Sequence, residues 1–272
     1  MFGGFTERKN FGNQSFPTRT LGQFGNQATQ IAANFLNATQ ISDTTIVSAI
    51  NQLVADLFFY GLITKLKAVY PFVGSTSVTQ KFNLLDPRDL NIAFRLSFVG
   101  GWSFSSNGAL PNGTNAYCDS FFNTQNNYTS INSASFGIYS RTNSTGATRI
   151  YGNNAGGNLI HHNLNGGFII GGAASVNYTA NPSTSLLMAS RTSSSLLTAY
   201  RGGVSLGTNT ATITAFNNLN FFFGARNDSG TPLLFSNHEL AFAFLGDGLN
   251  PTESGNLYTA VQAFQTTLAR QI

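Results

Sequence analysis

Acidic side chains are the first candidates for chemistry in this sequence, and they are few. Glutamate occurs only at Glu7, Glu239 and Glu253. Glycoside hydrolysis usually needs two carboxyl groups about 5 to 9.5 Å apart, one of them protonated. Glu7 lies in an irregular N-terminal stretch and Glu253 has the spacing of a helix-capping residue, so Glu239 has no glutamate partner. We therefore predict no glycosidase-type catalytic pair and expect a protein that is not an enzyme.

The aspartates are interpreted as turn residues. Asp86 and Asp89 flank a Pro-Arg step, and we expect them to shape a turn and to pair with Arg88 or Arg95. Three further aspartates stand in loop-like contexts, namely Asp119, Asp228 and Asp247. Calcium would be one occupant of such loops, but it takes about 6 to 8 oxygen ligands and carboxylates are sparse here. We predict no metal ion and no cofactor.

Other nucleophiles and ligands fall into no recognised catalytic pattern. His161 and His162 are adjacent, and neighbouring strand residues point to opposite faces, so they should not converge on one metal. The only G-x-S-x-G pattern, at 203–207 (GVSLG), lies between predicted strands and opens no helix, so it is not a nucleophile elbow. The Gly-Gly pairs likewise open no helix that could bind phosphate. Cys118 is the single cysteine, which excludes an internal disulfide and a thiolate zinc site.

Two aromatic residues stand beside asparagine or serine, the setting that carbohydrate sites typically use. Trp102 is one, and we expect it to be buried. Tyr128 is the other, and we interpret Asn126, Asn127 and Tyr128 as an exposed loop that contacts a glycan or receptor.

Composition excludes several function classes. Only 9% of the 272 residues are charged, against about 25% in ordinary globular proteins, and the net charge is +4. Beyond residue 25 the arginines are scattered singly, so we predict no nucleic-acid binding. The longest apolar stretch, 46–69, is interrupted by polar residues, and we predict no membrane insertion. The first residues lack the apolar core of a secretory signal.

Residues 1–25 are predicted to form an extended arm. Their phenylalanines follow neither the helical nor the strand period, which leaves a disordered tail or an anchoring peptide as interpretations. We favour the anchor, because aromatic side chains that recur at intervals of several residues can insert into pockets on a partner. The predicted anchoring residues are Phe2, Phe5, Arg8, Lys9, Phe11, Phe16 and Arg19.

Residues 26–70 are predicted to be a helical segment. Its apolar stripe consists of Ile46, Ile50, Leu53 and Leu57. Gly61 should end this helix, with a second short helix over 62–69. Such a wide apolar face needs a cover, either the following sandwich or the same helix in another copy. We assign the stripe to a homo-oligomer interface, a trimer being one option.

Residues 71–272 are predicted to be a β-sandwich, because short apolar runs are separated by Gly-Gly, Asn-Gly and Asp-Ser-Gly turns. In the last run, alternation places Leu240, Phe242 and Phe244 on one face, and Glu239, Ala241 and Ala243 on the other.

The chain closes with one more predicted helix. Asn250 should cap it, Pro251 fits its first position, and Glu253 can complete a capping box. The predicted apolar face is Leu257, Val261, Phe264 and Leu268.

The segments 191–208 (RTSSSLLTAYRGGVSLGT), 221–225 (FFFGA) and 240–262 resemble the LamG-like, concanavalin A-like jelly-roll domains, over 185–262. From residue 44 onward, KFNLLDPRDLNIAFRLSFVGGW and NLYTAVQAFQTTLARQ are similar to a module of tailed-phage structural proteins. The resemblance implies a jelly-roll sandwich in a virion, with other capsid or tail proteins as partners.

The resulting hypothesis is a non-enzymatic virion structural protein. Its arm would attach it to the particle, and its sandwich would face outward as a fibre, decoration or receptor-binding domain, with a host-surface glycan as a candidate partner. The alternative is a soluble lectin or glycan-active enzyme with a concanavalin A-like fold.

Overall fold

The computed structural model describes residues 21–143, 149–155, 158–163, 167–170, 174–176 and 183–272. Its helices are α1 (Leu21–Thr39), α2 (Thr44–Phe59), α3 (Ser77–Gln80), α4 (Thr124–Asn127) and α5 (Pro251–Thr267). Short 3-10 turns lie at Leu62–Thr64 and Asn91–Ala93. The strands are β1 (Leu66–Tyr70), β2 (Ser97–Val99), β3 (Trp102–Ser105), β4 (Gly108–Pro111), β5 (Tyr117–Asn123), β6 (Ala134–Ser140), β7 (Arg149–Ala155), β8 (Asn158–Asn163), β9 (Gly167–Ile170), β10 (Ala174–Val176), β11 (Ser185–Ser193), β12 (Leu196–Arg201), β13 (Val204–Asn209), β14 (Asn220–Phe223), β15 (Arg226–Asp228), β16 (Thr231–Leu233) and β17 (Leu240–Gly246).

The strands form two sheets. The first has the order β13-β12-β11-β6-β17-β4-β3, and β1 also pairs with β17. The second has the order β10-β9-β8-β7-β14-β5-β2, with β15 and β16 attached beside β7. The pairings are antiparallel except that of β15 with β7. The mainly β fold, with helices before and after a sandwich, is therefore confirmed.

Apolar side chains form one cluster on each face of the first sheet. Between the two sheets lie residues such as Phe136, Leu187 and Phe223. On the opposite face, α1, α2 and α5 pack against the sheet through residues such as Phe35 and Leu53. The first sheet is thus the middle of three layers, and the helices share a core with the sandwich. No helix within the described ranges has the length and apolar character of a membrane span.

Strand β17 is buried on both faces because it lies in this middle layer. The prediction that Leu240, Phe242 and Phe244 share a face is wrong. Leu240 packs between the sheets, whereas Phe242 and Phe244 pack against the helices. The pairing with β6 shifts register between Leu240 and Phe242, which marks a β-bulge at Ala241. Ala241 and Phe242 therefore lie on the same side.

The predicted second helix over 62–69 is also wrong. Gly61 adopts a left-handed conformation (φ 69°) and ends the helical region as expected. After one 3-10 turn the chain becomes β1, which pairs with β17 and so belongs to the first sheet. The sandwich thus begins before residue 71, since pairing with an available strand outweighs the weak local preference for helix.

The N-terminal helices differ from the sequence prediction in one further boundary and in the surface available to a second copy. Helix α1 begins at Leu21, inside the predicted arm. In α2, the side chains of Ile50, Leu53 and Leu57 have no exposed surface, and Ile46 packs partly buried beside them. The first sheet, α1 and α5 cover Ile50, Leu53 and Leu57 within the chain, so these three side chains offer no surface to a second copy, whereas Ile46 keeps a partly exposed surface.

Helix α5 begins as the sequence predicts. The Asn250 side chain accepts a hydrogen bond from the Glu253 backbone N–H (2.9 Å), and the Glu253 carboxylate accepts one from the Asn250 N–H (2.8 Å). Glu253 also pairs with Lys65 (2.6 Å), which joins the helix start to the beginning of β1. Leu257, Val261 and Phe264 are buried, as predicted.

Arg270, just beyond α5, is the most completely bonded buried side chain in the described residues. All five guanidinium N–H groups have an acceptor. Nε donates to Gln265 Oε1 (2.6 Å), Nη1 to the carbonyls of Phe72 (2.9 Å) and Ser106 (3.2 Å), and Nη2 to those of Pro71 (2.7 Å) and Ala241 (2.7 Å).

The hydrogen bonds of Arg270 connect the bulge at Ala241 to the end of α5, to residues 71–72 and to the turn at Ser106. The bulge leaves the Ala241 carbonyl without a ladder partner, and both Arg270 and Gln265 donate to it. Burial, with a smaller contribution from the Arg141 charge, lowers the pKa of Arg270 to about 9. The guanidinium therefore stays charged at neutral pH, and carbonyl dipoles replace the water it has lost.

Replacing Arg270 with alanine should lower the free energy of unfolding by about 3 to 5 kcal/mol, because several buried carbonyls lose their donor at once. Urea unfolding followed by circular dichroism measures this. Arg88→Ala is the control, since the exposed Arg88 side chain pairs with Asp86 alone among the described side chains, and it should lower the unfolding midpoint only slightly, as expected for an exposed ion pair. Equal midpoints for Arg270→Ala and the parent chain would contradict this role.

Candidate functional site

The outer side of the second sheet is the candidate site. The first sheet is covered by helices, whereas β5 alternates between buried and partly exposed residues along its length. Its buried members face the space between the sheets. We name the opposite side the β5 face, and it comprises Tyr117, Asp119, Phe121 and Asn123 of β5 with Asn220 and Phe222 of β14.

An aromatic stack stands at one end of the β5 face. The rings of Tyr117 and Phe222 have centroids 4.9 Å apart and an interplanar angle of 29°. Phe222 is 6% exposed, so Tyr117 supplies the accessible ring. Val99 of β2 pairs with Tyr117 and is 43% exposed. A ring fixed in this way loses little freedom on binding and suits the apolar face of a sugar.

Asp119 lies beside this stack, opposite Phe222 in the register. One carboxylate oxygen accepts the Phe121 backbone N–H (2.7 Å) and the other accepts Asn220 Nδ2 (3.1 Å). Burial raises the pKa of the Asp119 carboxyl above its ordinary value. A carboxylate offers about four acceptor positions, so this one can still accept hydrogen bonds from hydroxyl groups.

A bulge in β5 fixes this carboxylate. Between Asp119 and Asn123, β5 has two more residues than the paired part of β14. Phe121 has a φ of 55°, which is uncommon for a bulky residue, and the Ser120 hydroxyl donates to the Phe221 carbonyl (2.6 Å). Strained backbone of this kind is often found at binding sites.

The strand neighbours of Asp119 are polar or aromatic. Its partners across the sheet are Ser97 and Phe222, and its neighbours on the same side of β5 are Tyr117 and Phe121. None of these four carries a second carboxyl group. Asp119 was expected in a loop, and its place in a strand could have been found from the alternating pattern of residues 117–122.

The predicted glycan loop is only partly exposed. Asn126 is exposed at α4, but the Asn127 side chain accepts the backbone N–H of Asn123 (2.7 Å). Tyr128 is 6% exposed and packs against Phe122 and Phe216, so its assignment to an exposed loop is wrong. The Tyr128 ring points inward because packing among the phenylalanines of the core removes its apolar surface from water.

Trp102 lies at the rim of the sandwich. Its Nε1 donates to the carbonyls of Val99 and Tyr117 (both 3.1 Å), and its ring packs against Phe98. A Cβ at Gly224 would lie 2.9 Å from the indole, so glycine is needed there. The ring is partly exposed and contacts the core, which agrees in part with the predicted burial.

All acidic residues except Glu7 are described, and each has an internal partner. They are Asp43 with the start of α2, Asp56 with Gln52, Asp86 with Arg88, Asp89 with Lys81 and Arg95, Asp119 with Asn220, Asp228 with Arg226, Glu239 with Arg141, Asp247 with Lys67, and Glu253 with Lys65. The predicted pairs at Asp86 and Asp89 are confirmed. Within the described ranges, His, Cys, Asp and Glu form no group of three that could hold a metal ion.

Histidines occur at two places in the described structure, in β8 and two residues before β17. His161 and His162 are adjacent in β8, and their backbones pair with Gly152 and Tyr151. The sequence analysis overlooked His238, whose Nδ1 lies 3.0 Å from the Ser140 hydroxyl. Both side chains are fully buried, and burial lowers the pKa of His238 to about 4. This serine–histidine contact is therefore inside the core, closed to a substrate.

The predicted anchoring residues lie outside the described residues. They are Phe2, Phe5, Arg8, Lys9, Phe11, Phe16 and Arg19.

No protein-family model and no curated protein matches this chain. Domain 4 of AbnA, an extracellular arabinanase from Geobacillus stearothermophilus solved with arabinotriose, is 16% identical with a TM-score of 0.43, covering 71% of this chain and 98% of that one. A NanB sialidase variant from Streptococcus pneumoniae is 14% identical with a TM-score of 0.41, covering 57% of this chain and 27% of that one. The binding domain of Paraclostridial Mosquitocidal Protein 1 is 13% identical with a TM-score of 0.40, covering 72% of this chain and 52% of that one. Because all three TM-scores are low, the sandwich is assigned from this chain's own sheets, and no function follows from the similarity.

Asp119→Asn should leave the unfolding temperature at pH 7 unchanged or raise it. The pKa of Asp119 is raised on folding, so its ionisation costs stability as the pH increases above the ordinary value of 3.8. Thermal unfolding over a series of pH values measures this, and the difference should vanish under strongly acidic conditions.

Asp86→Asn is the matched control with the opposite sign. The hydrogen bond from Arg88 lowers the pKa of Asp86, so its ionised form stabilises the fold and that contribution is lost as the pH falls. Asp86→Asn should therefore unfold slightly earlier at pH 7. A similar loss in Asp119→Asn would show that the Asp119 charge is structural.

Proposed function

We propose that this chain is a non-enzymatic structural protein whose sandwich binds a neutral glycan on the β5 face. The observation that carries the proposal is the fixed stack of Tyr117 on Phe222 beside the Asp119 carboxylate. An aromatic ring packs on the apolar face of a sugar, and a carboxylate next to it accepts hydrogen bonds from hydroxyl groups.

Asparagine side chains complete the polar part of the face. Asn123 Nδ2 donates to Asn218 Oδ1 (2.7 Å), and Asn220 Nδ2 donates to Asp119. Amide groups both donate and accept, as sugar hydroxyls do. Held by one another, they need little reordering when a ligand binds, which favours affinity. Because the sequence is only 9% charged, a neutral ligand suits this chain better than a polyanion.

Binding without catalysis is supported by the carboxylates. A retaining or inverting glycosidase needs two carboxyl groups facing one cleft, one of them held protonated. Asp119 has the raised pKa but no carboxylate among its neighbours on the sheet, and the Glu239 carboxylate pairs with Arg141 (3.1 Å). The glycan-active enzyme considered from the sequence is therefore not our proposal.

The setting of this binding domain is proposed from sequence resemblance alone. The similarity to tailed-phage structural modules supports a place on a virion, with capsid or tail proteins as partners. The Phe-rich residues 1–20 would attach the chain, and the described residues would face outward. In that setting the β5 face would contact glycans of the host surface.

The intact chain should bind neutral glycans on an array, and calorimetry with the best ligand should show that Tyr117→Ala weakens binding at least tenfold. That loss corresponds to about 1.4 kcal/mol, within the range expected for one aromatic contact. Tyr60→Ala is the control, since Tyr60 lies at the end of α2 in the helical layer. An array without any signal, or equal affinities for the two variants, would refute glycan binding at this face.

Deleting residues 1–20, which spares α1, should abolish incorporation into particles while the remaining chain stays folded by circular dichroism. A finer variant replaces Phe2, Phe5, Phe11 and Phe16 with alanine. Its matched control replaces Asn10, Asn13 and Gln14 with alanine, since a mere tail would tolerate both sets equally. Normal incorporation of the Phe-to-Ala variant would overturn the anchor.

A further inference from the structure

Two arginines are fully or almost fully buried in the described residues, and they differ in their partners. Arg270 uses every N–H group, as described above. Arg191 is 0% exposed, yet only its Nη2 has acceptors, the carbonyls of Ser194 and Ala211. The Nε and Nη1 atoms of Arg191 are buried without a hydrogen-bond partner. Three N–H donors of a cation are thus available inside the protein.

Arg191 lies between the two sheets, at the end of their common core. In β11 it follows Leu187 and Ala189 on the same side, and both belong to the cluster between the sheets. Its backbone partners are Ala134 and Leu197, which belong to that cluster as well. A guanidinium in this position has apolar side chains around it instead of water.

The described chain supplies no anion to this guanidinium. Every described carboxylate is paired or hydrogen-bonded elsewhere, and the remaining one, Glu7, lies outside the described residues. A buried cation without a counter-charge is strongly destabilising. Burial also lowers the pKa of Arg191, which is the direction expected for a cation lacking an anionic partner.

The cover over Arg191 is thin. The turn at Ser194 and Ser195 carries short, exposed side chains, and both of the acceptors that Nη2 uses belong to this turn or to the coil around Ala211. A small group that displaces these short polar residues would meet the guanidinium of Arg191 from the Nη2 side, without opening the sheets.

We propose that Arg191 is the centre of an anion site that binds one carboxylate group at this end of the sandwich. A carboxylate would accept charge-assisted hydrogen bonds from Nη1 and supply the missing counter-charge. The group can belong to a small free acid or to an acidic saccharide. This site is separate from the β5 face and does not depend on glycan binding there.

The experiment is thermal unfolding of the intact chain while sodium acetate replaces sodium HEPES at constant ionic strength. A saturable rise of the unfolding temperature is expected for the parent chain and for Arg201→Met, a partly exposed arginine in the neighbouring strand β12. Arg191→Met should lose the dependence on acetate. In HEPES it should be at least as stable as the parent, because it removes an uncompensated charge.

Two further arms separate the outcomes. Galacturonate and galactose identify the molecule that carries the bound carboxylate. If galacturonate raises the unfolding temperature at a lower concentration than acetate does, the ligand is an acidic saccharide. Galactose has no carboxylate and should have no effect through Arg191. If Arg191→Met does not fold, Arg191→Lys replaces it and should need several-fold more acetate for the same rise. No dependence on acetate in the parent chain, or the same rise in all variants, would overturn the proposal.

Discussion

The bulge at Ala241 and the guanidinium of Arg270 depend on each other. The bulge turns Phe242 toward the helices and leaves a buried carbonyl without a strand partner, and Arg270 donates to that carbonyl at 2.7 Å. The same guanidinium also bonds to the chain just after β1 and to the turn between β3 and β4. One side chain thus fixes the end of α5, the central strand and two turns. Because unpaired buried carbonyls are costly, these segments are stable only together.

The position of each sheet among the three layers determines which of its surfaces remains exposed. The central strands β6 and β17 of the first sheet are buried on both sides, so they contain almost only apolar and small residues. The second sheet has one side against the core, and β5 keeps polar residues and partly exposed aromatics on the other. The helices therefore cover one side of the first sheet, whereas the outer side of β5 in the second sheet remains partly exposed. The β5 face can combine an exposed ring with a carboxylate because this side is not needed for packing.

Scarcity of charge has two separate consequences in this chain. Each described carboxylate has an internal partner in an ion pair, at a helix start or in a hydrogen bond. The same scarcity leaves Arg191 without a counter-charge between the sheets. The two proposed sites follow from this difference, a neutral ligand at the β5 face and an external carboxylate at Arg191.

Local features were determined by the sequence itself. The capping box at Asn250 and Glu253, the left-handed Gly61 and the ion pairs of Asp86 and Asp89 depend on residues close together in the chain, and the turn-separated apolar runs predicted a sandwich. Only the tertiary structure decided which face of a strand is inside. The bulge at Ala241 reverses the predicted alternation, and β1 forms where a helix was expected because β17 offers it a partner. Tyr128 turns into the core, and the β5 face joins residues about 100 positions apart, such as Asp119 and Asn220. These outcomes depend on contacts between distant segments, whose energies exceed the local preferences that a sequence pattern records.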